Sequence, residues 1–312
     1  MFEDVVYGRV LGAALIGDIA RPSLASVSAP TPAIISIHGG CWVGGHKRDT
    51  STIAVTQWAQ QFGFFAMSID YRLASLAAPP ACYEDVQCAL RYVHANAAQL
   101  NVDTSRVFVI GESAGAHLAA LCATLGDAVL EKTGGWEEAS SAVAAAIAVA
   151  GPFELEPEDG VHYVESNQVG TDFDVVYDAY PAPAWRKYWT PRETVDHVWA
   201  SRAAPHHIDV VAPSEDDAIA ARKLASPINH VASGKPPLLI LASATDVSAP
   251  LPNAERMCAA MEAAGQEYEF EDWPEEGHMQ ITDRVITRSL RFLQERFAVL
   301  DDDAPTTAAA RL

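Results

Sequence analysis

The stretch VIGESAGAHLAA, residues 109–120, decides the fold. An apolar run enters Gly111-Glu112-Ser113-Ala114-Gly115, and a helix of small residues leaves it. The pattern is G-x-S-x-G. In a strand-to-helix turn this sharp, the serine is forced into a sparsely populated backbone conformation. The residues two before and two after it then approach each other and must be small. The hydroxyl stands at the strand's carboxyl end, beneath the amino end of the next helix. There the helix dipole and free N–H groups favour negative charge.

Around this turn the chain alternates strands and helices. The spacing predicts strands at 32–40, 64–72, 106–111, 142–150, 236–244 and 267–274. It predicts helices at 52–62, 83–100, 114–125, 252–264 and 280–298. Such alternation implies an α/β protein with a mostly parallel central sheet and helices on both faces. Residues 152–235 break the rhythm with Pro181, Pro183, Pro191, Pro205, Pro213 and Pro227 and an aromatic group, Tyr177, Tyr180, Trp185, Tyr188 and Trp189. They read as a cap-like segment inserted in a single domain of residues 1–300. The acidic tail 301–312 is expected to be disordered.

The totals narrow the function. Of 312 residues, 49% are hydrophobic, enough for a sizeable core. The formal charge of −20 disfavours nucleic acid and anionic membrane surfaces. The N-terminus MFEDVVYGRV is acidic where a signal peptide would be basic, and the apolar run 142–150 is too short to span a bilayer. The five cysteines form no CxxC pair and are odd in number, so they read as reduced thiols. Together these features predict a soluble cytoplasmic protein.

A second motif, HGGCWVGG at residues 38–45, ends an earlier strand. Attack on a carbonyl builds negative charge on its oxygen, and backbone N–H groups must be aimed there in advance. A glycine-rich loop can turn its N–H groups inward. Gly40 and Cys41 are natural donors, with Ala114 as the third. A serine hydroxyl needs a base, and the base needs a carboxylate to orient it. Asp246 lies just past the strand LILAS, and His278 lies in DWPEEGHMQITD before the final helix. The order Ser113, Asp246, His278 is that of a serine hydrolase on an open α/β sheet. All three lie at the sheet's carboxyl edge, where such sheets bind ligands.

The chain resembles α/β-hydrolases of the hormone-sensitive-lipase-like and feruloyl-esterase/arylformamidase-like carboxylesterases. The resemblance rests on HGGCW (38–42), YRLA (71–74), Glu84-Asp85, GESAG (111–115), Asp246 and Gly277-His278, and covers most of residues 30–298. It implies that Ser113 is the nucleophile, His278 the general acid and base, and Asp246 the orienting acid. It also implies an oxyanion loop of Gly39, Gly40 and Cys41. The chain departs from the pattern at four places. Cys41 replaces the third glycine of HGGG, and Ala116 stands where a second glycine often follows the elbow. Ser75 stands where proline usually follows YRLA, and ASATD precedes the acid position. These departures leave the subfamily open.

The expected activity is hydrolysis of a small or medium carboxylic ester through an acyl-enzyme, with no cofactor or metal. Hydrolysis of an amide or N-formyl amine by the same residues is the alternative within the mechanism, and a ligand receptor on this fold is the alternative of another class. Candidate substrate contacts are Trp42, Glu112, Tyr188 and Trp189. Trp42 either lines the pocket or anchors the loop. Glu112 either tunes the pocket or makes a structural hydrogen bond. The aromatics of 177–189 are either a satellite core or a cap wall. His206-His207 with Asp209 do not read as a metal site, because adjacent histidines cannot both face one ion on a regular element and no third ligand has a fitting spacing. An exposed final helix is the expected route to a homodimer.

Overall fold

A computed structural model describes residues 3–22, 29–74, 76–77, 80–126, 132–155, 220, 222–297 and 299. The expected cap segment lies largely outside the described residues. So do Tyr188, Trp189, the His206-His207 pair and the acidic tail.

Eight strands form one sheet: β1 (Glu3–Val10), β2 (Ala13–Ala20), β3 (Thr31–Ile37), β4 (Phe65–Ile69), β5 (Val102–Glu112), β6 (Ala145–Val149), β7 (Leu238–Ala242) and β8 (Tyr268–Asp272). Their spatial order is β1-β2-β4-β3-β5-β6-β7-β8. From β4 to β8 every neighbour is parallel. The helices are α1 (Thr50–Gln61), α2 (Ala81–Ala95), α3 (Ala97–Leu100), α4 (Ala114–Thr124), α5 (Leu251–Ala264) and α6 (Asp283–Phe297).

The central strands are apolar on both faces because helices cover both. Alternate residues divide between two cores, as the period-two geometry of a strand requires. Ile35, Ile37, Val107, Val109 and Ile240 join one core with Val86, Leu118 and Met257 from α2, α4 and α5. Ile34, Phe108, Ile110, Ile147 and Leu239 join the other with Trp58 of α1 and Val285, Phe292 and Leu293 of α6. Each fully buried Ile, Leu or Phe contributes about 1.5–3 kcal/mol. A one-residue slip of any central strand would exchange its two faces. The apolar stripe of α6 is spent on its own sheet, leaving Arg284, Thr287, Arg291 and Glu295 outward. No described helix is long and apolar enough to cross a membrane.

Two features differ from the sequence expectation. The predicted helix 83–100 breaks at Asn96 into α2 and α3. The first two strands, which the alternation did not reveal, form an antiparallel hairpin that pairs with β4 through β2. Its two-residue turn, Leu11-Gly12, has φ of 49° and 85°, the paired positive angles that suit a right-twisted hairpin. Asp18 is buried within β2 and would oppose a strand reading on its own. Lys47 Nζ (2.7 Å) and Arg48 Nε (2.5 Å) compensate it. Burial pushes Asp18 up, but hydrogen bonds from Arg48 and Lys47 outweigh it and hold the carboxyl at about 2. The hairpin is thereby tied to the segment that follows the glycine-rich loop.

Candidate active site

The loops after β3, β5, β7 and β8 carry Gly39, Gly40, Cys41, Trp42, Ser113, Asp246 and His278 at the carboxyl edge, with Glu112 and Ala114 flanking the serine. Ser113 has φ 53° and ψ −121°, a strained conformation for a non-glycine residue. Its N–H is held by Val149 O (2.9 Å), and its carbonyl accepts the N–H of His117 (3.1 Å). A Cβ on Gly111 would collide with the carbonyl of Gly115, and one on Gly115 would collide with Ile37 O. The small residues flanking the serine are therefore required by contact with each other and with β3. Ser113 precedes α4, whose first N–H groups lack intrahelical acceptors, so the Ala114 N–H faces the elbow at the positive end of the helix.

The glycine-rich loop presses against this elbow. A Cβ on Gly39 would lie 3.1 Å from Glu112 O and 3.3 Å from Ser113 Cβ. Gly40, Cys41 and Trp42 have φ of 104°, 51° and 60°. The two non-glycine residues in this run cost about 1–3 kcal/mol each. The turn is held by Val43 and Gly44 N–H, both donating to Gly40 O (3.0 Å), and by Ala74 N–H donating to Trp42 O (2.8 Å). His38 Nδ1–H donates to Gly39 O (2.7 Å), and Tyr71 OH donates to His38 O (3.1 Å). The Gly39 and Gly40 carbonyls are thus engaged within the loop. In a trans peptide the next N–H points the opposite way, which turns the N–H groups of Gly40 and Cys41 away from those partners.

Trp42 is 1% exposed and sits in the core. Its Nε1–H donates to His117 Nδ1 (3.2 Å), and His117 Nε2–H donates to Ala225 O (2.7 Å). This pattern fixes the His117 tautomer, and burial holds its pKa down at about 4. Of its two expected roles, Trp42 occupies the position of a loop anchor. Burial also lowers His38. Neither His38 nor His117 is placed as a second base.

Asp246 and His278 form a pair. His278 Nδ1 lies 3.0 and 2.9 Å from the two oxygens of Asp246. The side chain of Asp246 is fully buried, whereas that of His278 is 35% exposed. Asp246 Oδ1 also accepts the N–H groups of Ser248 (2.8 Å) and Ala249 (2.9 Å). With Nδ1–H committed to the carboxylate, Nε2 is the basic nitrogen. No hydrogen bond joins His278 to Ser113 among the described residues. In an unliganded site such bonds are commonly long and tighten in the substrate complex.

Of the two roles expected for Glu112, the structure shows the structural hydrogen bond through one carboxylate oxygen. Its Oε2 accepts Ser51 Oγ–H of α1 (2.7 Å) and the Ile281 N–H just past His278 (3.2 Å). Burial raises its pKa, against the opposing pull of these bonds. It stitches the elbow to the histidine loop. Sequence reasoning did not find Ser51 or Thr245, whose hydroxyl joins the acid and histidine loops. No local pattern marks either one. None of the five cysteines is in a disulfide; four are buried and Cys41 is partly exposed. No group of three potential metal ligands occurs among the described residues.

An eight-stranded, mostly parallel sheet with a serine elbow after β5 is the α/β-hydrolase fold. The chain belongs to the BD-FAE family, whose model matches residues 18–261. It is 32% identical over 161 residues to Esterase LipQ of Mycobacterium tuberculosis, covering 51% of this chain and 37% of that one. It is 25% identical over 255 residues to Esterase LipC of the same organism, covering 80% and 53% respectively. The chain thus spans about a third to a half of the length of these curated relatives. A thermophilic esterase from Thermogutta terrifontis, solved with propionate, has a similar fold with a TM-score of 0.71, 21% identity and 97% coverage of both chains.

Proposed function

We propose that the protein is a serine carboxylesterase acting on a small or medium carboxylic ester. One observation carries this reading: a strained serine and a buried carboxylate–histidine pair stand at one sheet edge, with a glycine loop against the serine. Membership in the BD-FAE family and the esterase names of the mycobacterial relatives support it.

In this reading His278 Nε2 takes the Ser113 proton as the hydroxyl oxygen attacks the ester carbonyl. Asp246 keeps the imidazole in the Nδ1–H tautomer and stabilises the imidazolium. The oxyanion rests on the N–H groups of Gly40, Cys41 and Ala114, with Gly39 giving the loop its close approach. Such donors act strongly because they are fixed before charge develops. His278 then gives its proton to the leaving alcohol. Water, activated by the same nitrogen, releases the acid and restores Ser113. The protein residues, the ester and one water molecule account for every bond made and broken, and no cofactor is required.

Cysteines outside disulfides fit a reducing compartment, which supports a cytoplasmic location. Pairing of two copies through α6 has only that helix's polar outer face to work with. The test is turnover of p-nitrophenyl acetate, aryl esters and N-formyl amines by the wild type and Ser113→Ala. Ester turnover lost in the variant supports the reading. Turnover of N-formyl amines alone replaces the ester with an amide substrate. No Ser113-dependent turnover of any of them overturns it.

A further inference from the structure

We infer that Thr245 is a positioning residue for His278, an inference that rests on the proposed hydrolase reading. Its hydroxyl bridges two loops. Thr245 Oγ1–H donates to Pro274 O (2.8 Å), and the same oxygen accepts the N–H of Gly277 (3.1 Å), the residue immediately before His278. Ser243 Oγ lies 3.1 Å away. Because the Thr245 proton is committed to Pro274, Ser243 must be the donor in that contact. Ser243 Oγ in turn accepts the Thr245 N–H (3.3 Å). A hydroxyl has one proton and two acceptor sites, and Thr245 uses all three. Thr245 is also the residue immediately before Asp246, so one side chain ties the position before the acid to the position before the base.

Packing does not do this work. Gly277 has φ 61°, and a Cβ there would meet nothing within 4 Å. The turn therefore lies open, and hydrogen bonds set its position. Asp246 fixes the tilt of the imidazole. The distance of that ring from Ser113 depends on where the backbone at 277–278 runs. Upstream, Thr245 holds that backbone, and downstream Glu112 holds it through the Ile281 N–H.

Thr245 is itself exposed, so its loss should change geometry more than stability. The test compares Thr245→Val, which keeps the shape and removes the hydroxyl, with Thr245→Ser, which keeps the hydroxyl. The substrate is p-nitrophenyl acetate. Thr245→Val is expected to lower kcat about 10-fold or more, since small misplacements of catalytic groups are costly. KM should stay within about twofold, because ground-state binding is untouched. Thr245→Ser should restore kcat to near the wild-type value, and all three proteins should melt together. A second readout needs no turnover: the His278 Nδ1–H proton resonance, deshielded by Asp246 and assigned by its loss in His278→Gln. It should shift or broaden in Thr245→Val and return in Thr245→Ser. If the protein proves to hydrolyse no ester, this resonance alone decides the positioning role. An unchanged resonance in Thr245→Val overturns the inference. So does a Thr245→Ser variant as impaired as Thr245→Val.

Discussion

Gly39, Gly111 and Gly115 hold one half of the site by contact, because backbone atoms lie where any side chain would stand. Asp246, Thr245 and Glu112 hold the other half by hydrogen bonds between loops that are 32 to 169 residues apart in sequence. The serine side is rigid by exclusion, and the histidine side is located by directed bonds that water can replace. The difference teaches where each half is vulnerable. Steric support fails when an atom is added, and hydrogen-bonded support fails when an atom is removed.

The largest effect expected from breaking either half is on turnover. Ser113→Ala should lower kcat for p-nitrophenyl acetate by about 10⁶-fold, as for nucleophile removal in serine hydrolases generally. Asp246→Asn keeps the shape but exchanges an acceptor-only group for one that can hold the wrong imidazole tautomer. It should cost about 10⁴-fold in kcat with the fold intact, checked by circular dichroism beside the kinetics.

Smaller effects separate the two kinds of support. Gly115→Ala drives a methyl into Ile37 O and should destabilise the protein by about 2–3 kcal/mol, read from the urea midpoint. Glu112→Ala leaves the Ser51 hydroxyl and the Ile281 N–H without their acceptor, at a cost of about 1–3 kcal/mol. Glu112→Gln retains a carbonyl acceptor and should recover most of that loss. An effect of similar size lies far from the elbow, at the hairpin. Asp18 is held at about 2, below the ~3.9 of an unfolded aspartate. Its contribution is therefore complete above about pH 4 and is lost as pH falls toward 2. Asp18→Asn should be less stable at pH 7 and should lack that part of the acid transition, as measured by denaturant melts at stepped pH.

The same contrast governs what could be read from the sequence. Steric requirements write themselves as glycines at fixed spacing, so Gly111, Ser113, Gly115 and the loop at 38–45 stood out. The fully buried strands also stood out, because covering both faces leaves continuous apolar runs such as Ile34-Ile35 and Leu238–Leu241. Long-range hydrogen bonds leave no local mark. Thr245 and Ser51 are ordinary residues until folding brings Gly277 and Glu112 to them. The β1–β2 hairpin was hidden for a related reason. A buried Asp18 contradicts a strand until Lys47 and Arg48 are in place, and Leu11-Gly12 is a weak turn signal. Glu112 and Trp42 stand out in the sequence through their neighbours, but each admits both a pocket role and a structural one. The structure engages Glu112 with Ser51 and Ile281, and Trp42 with His117.

The central claim is that Ser113 is an activated nucleophile served by His278. Intact-mass spectrometry after incubation with a small fluorophosphonate, followed by peptide mapping, tests it most directly. The account predicts a single adduct on Ser113, formed rapidly in the wild type and absent in His278→Ala. A folded wild-type protein that takes no adduct, or labelling of Ser113 at the same rate without His278, would contradict it.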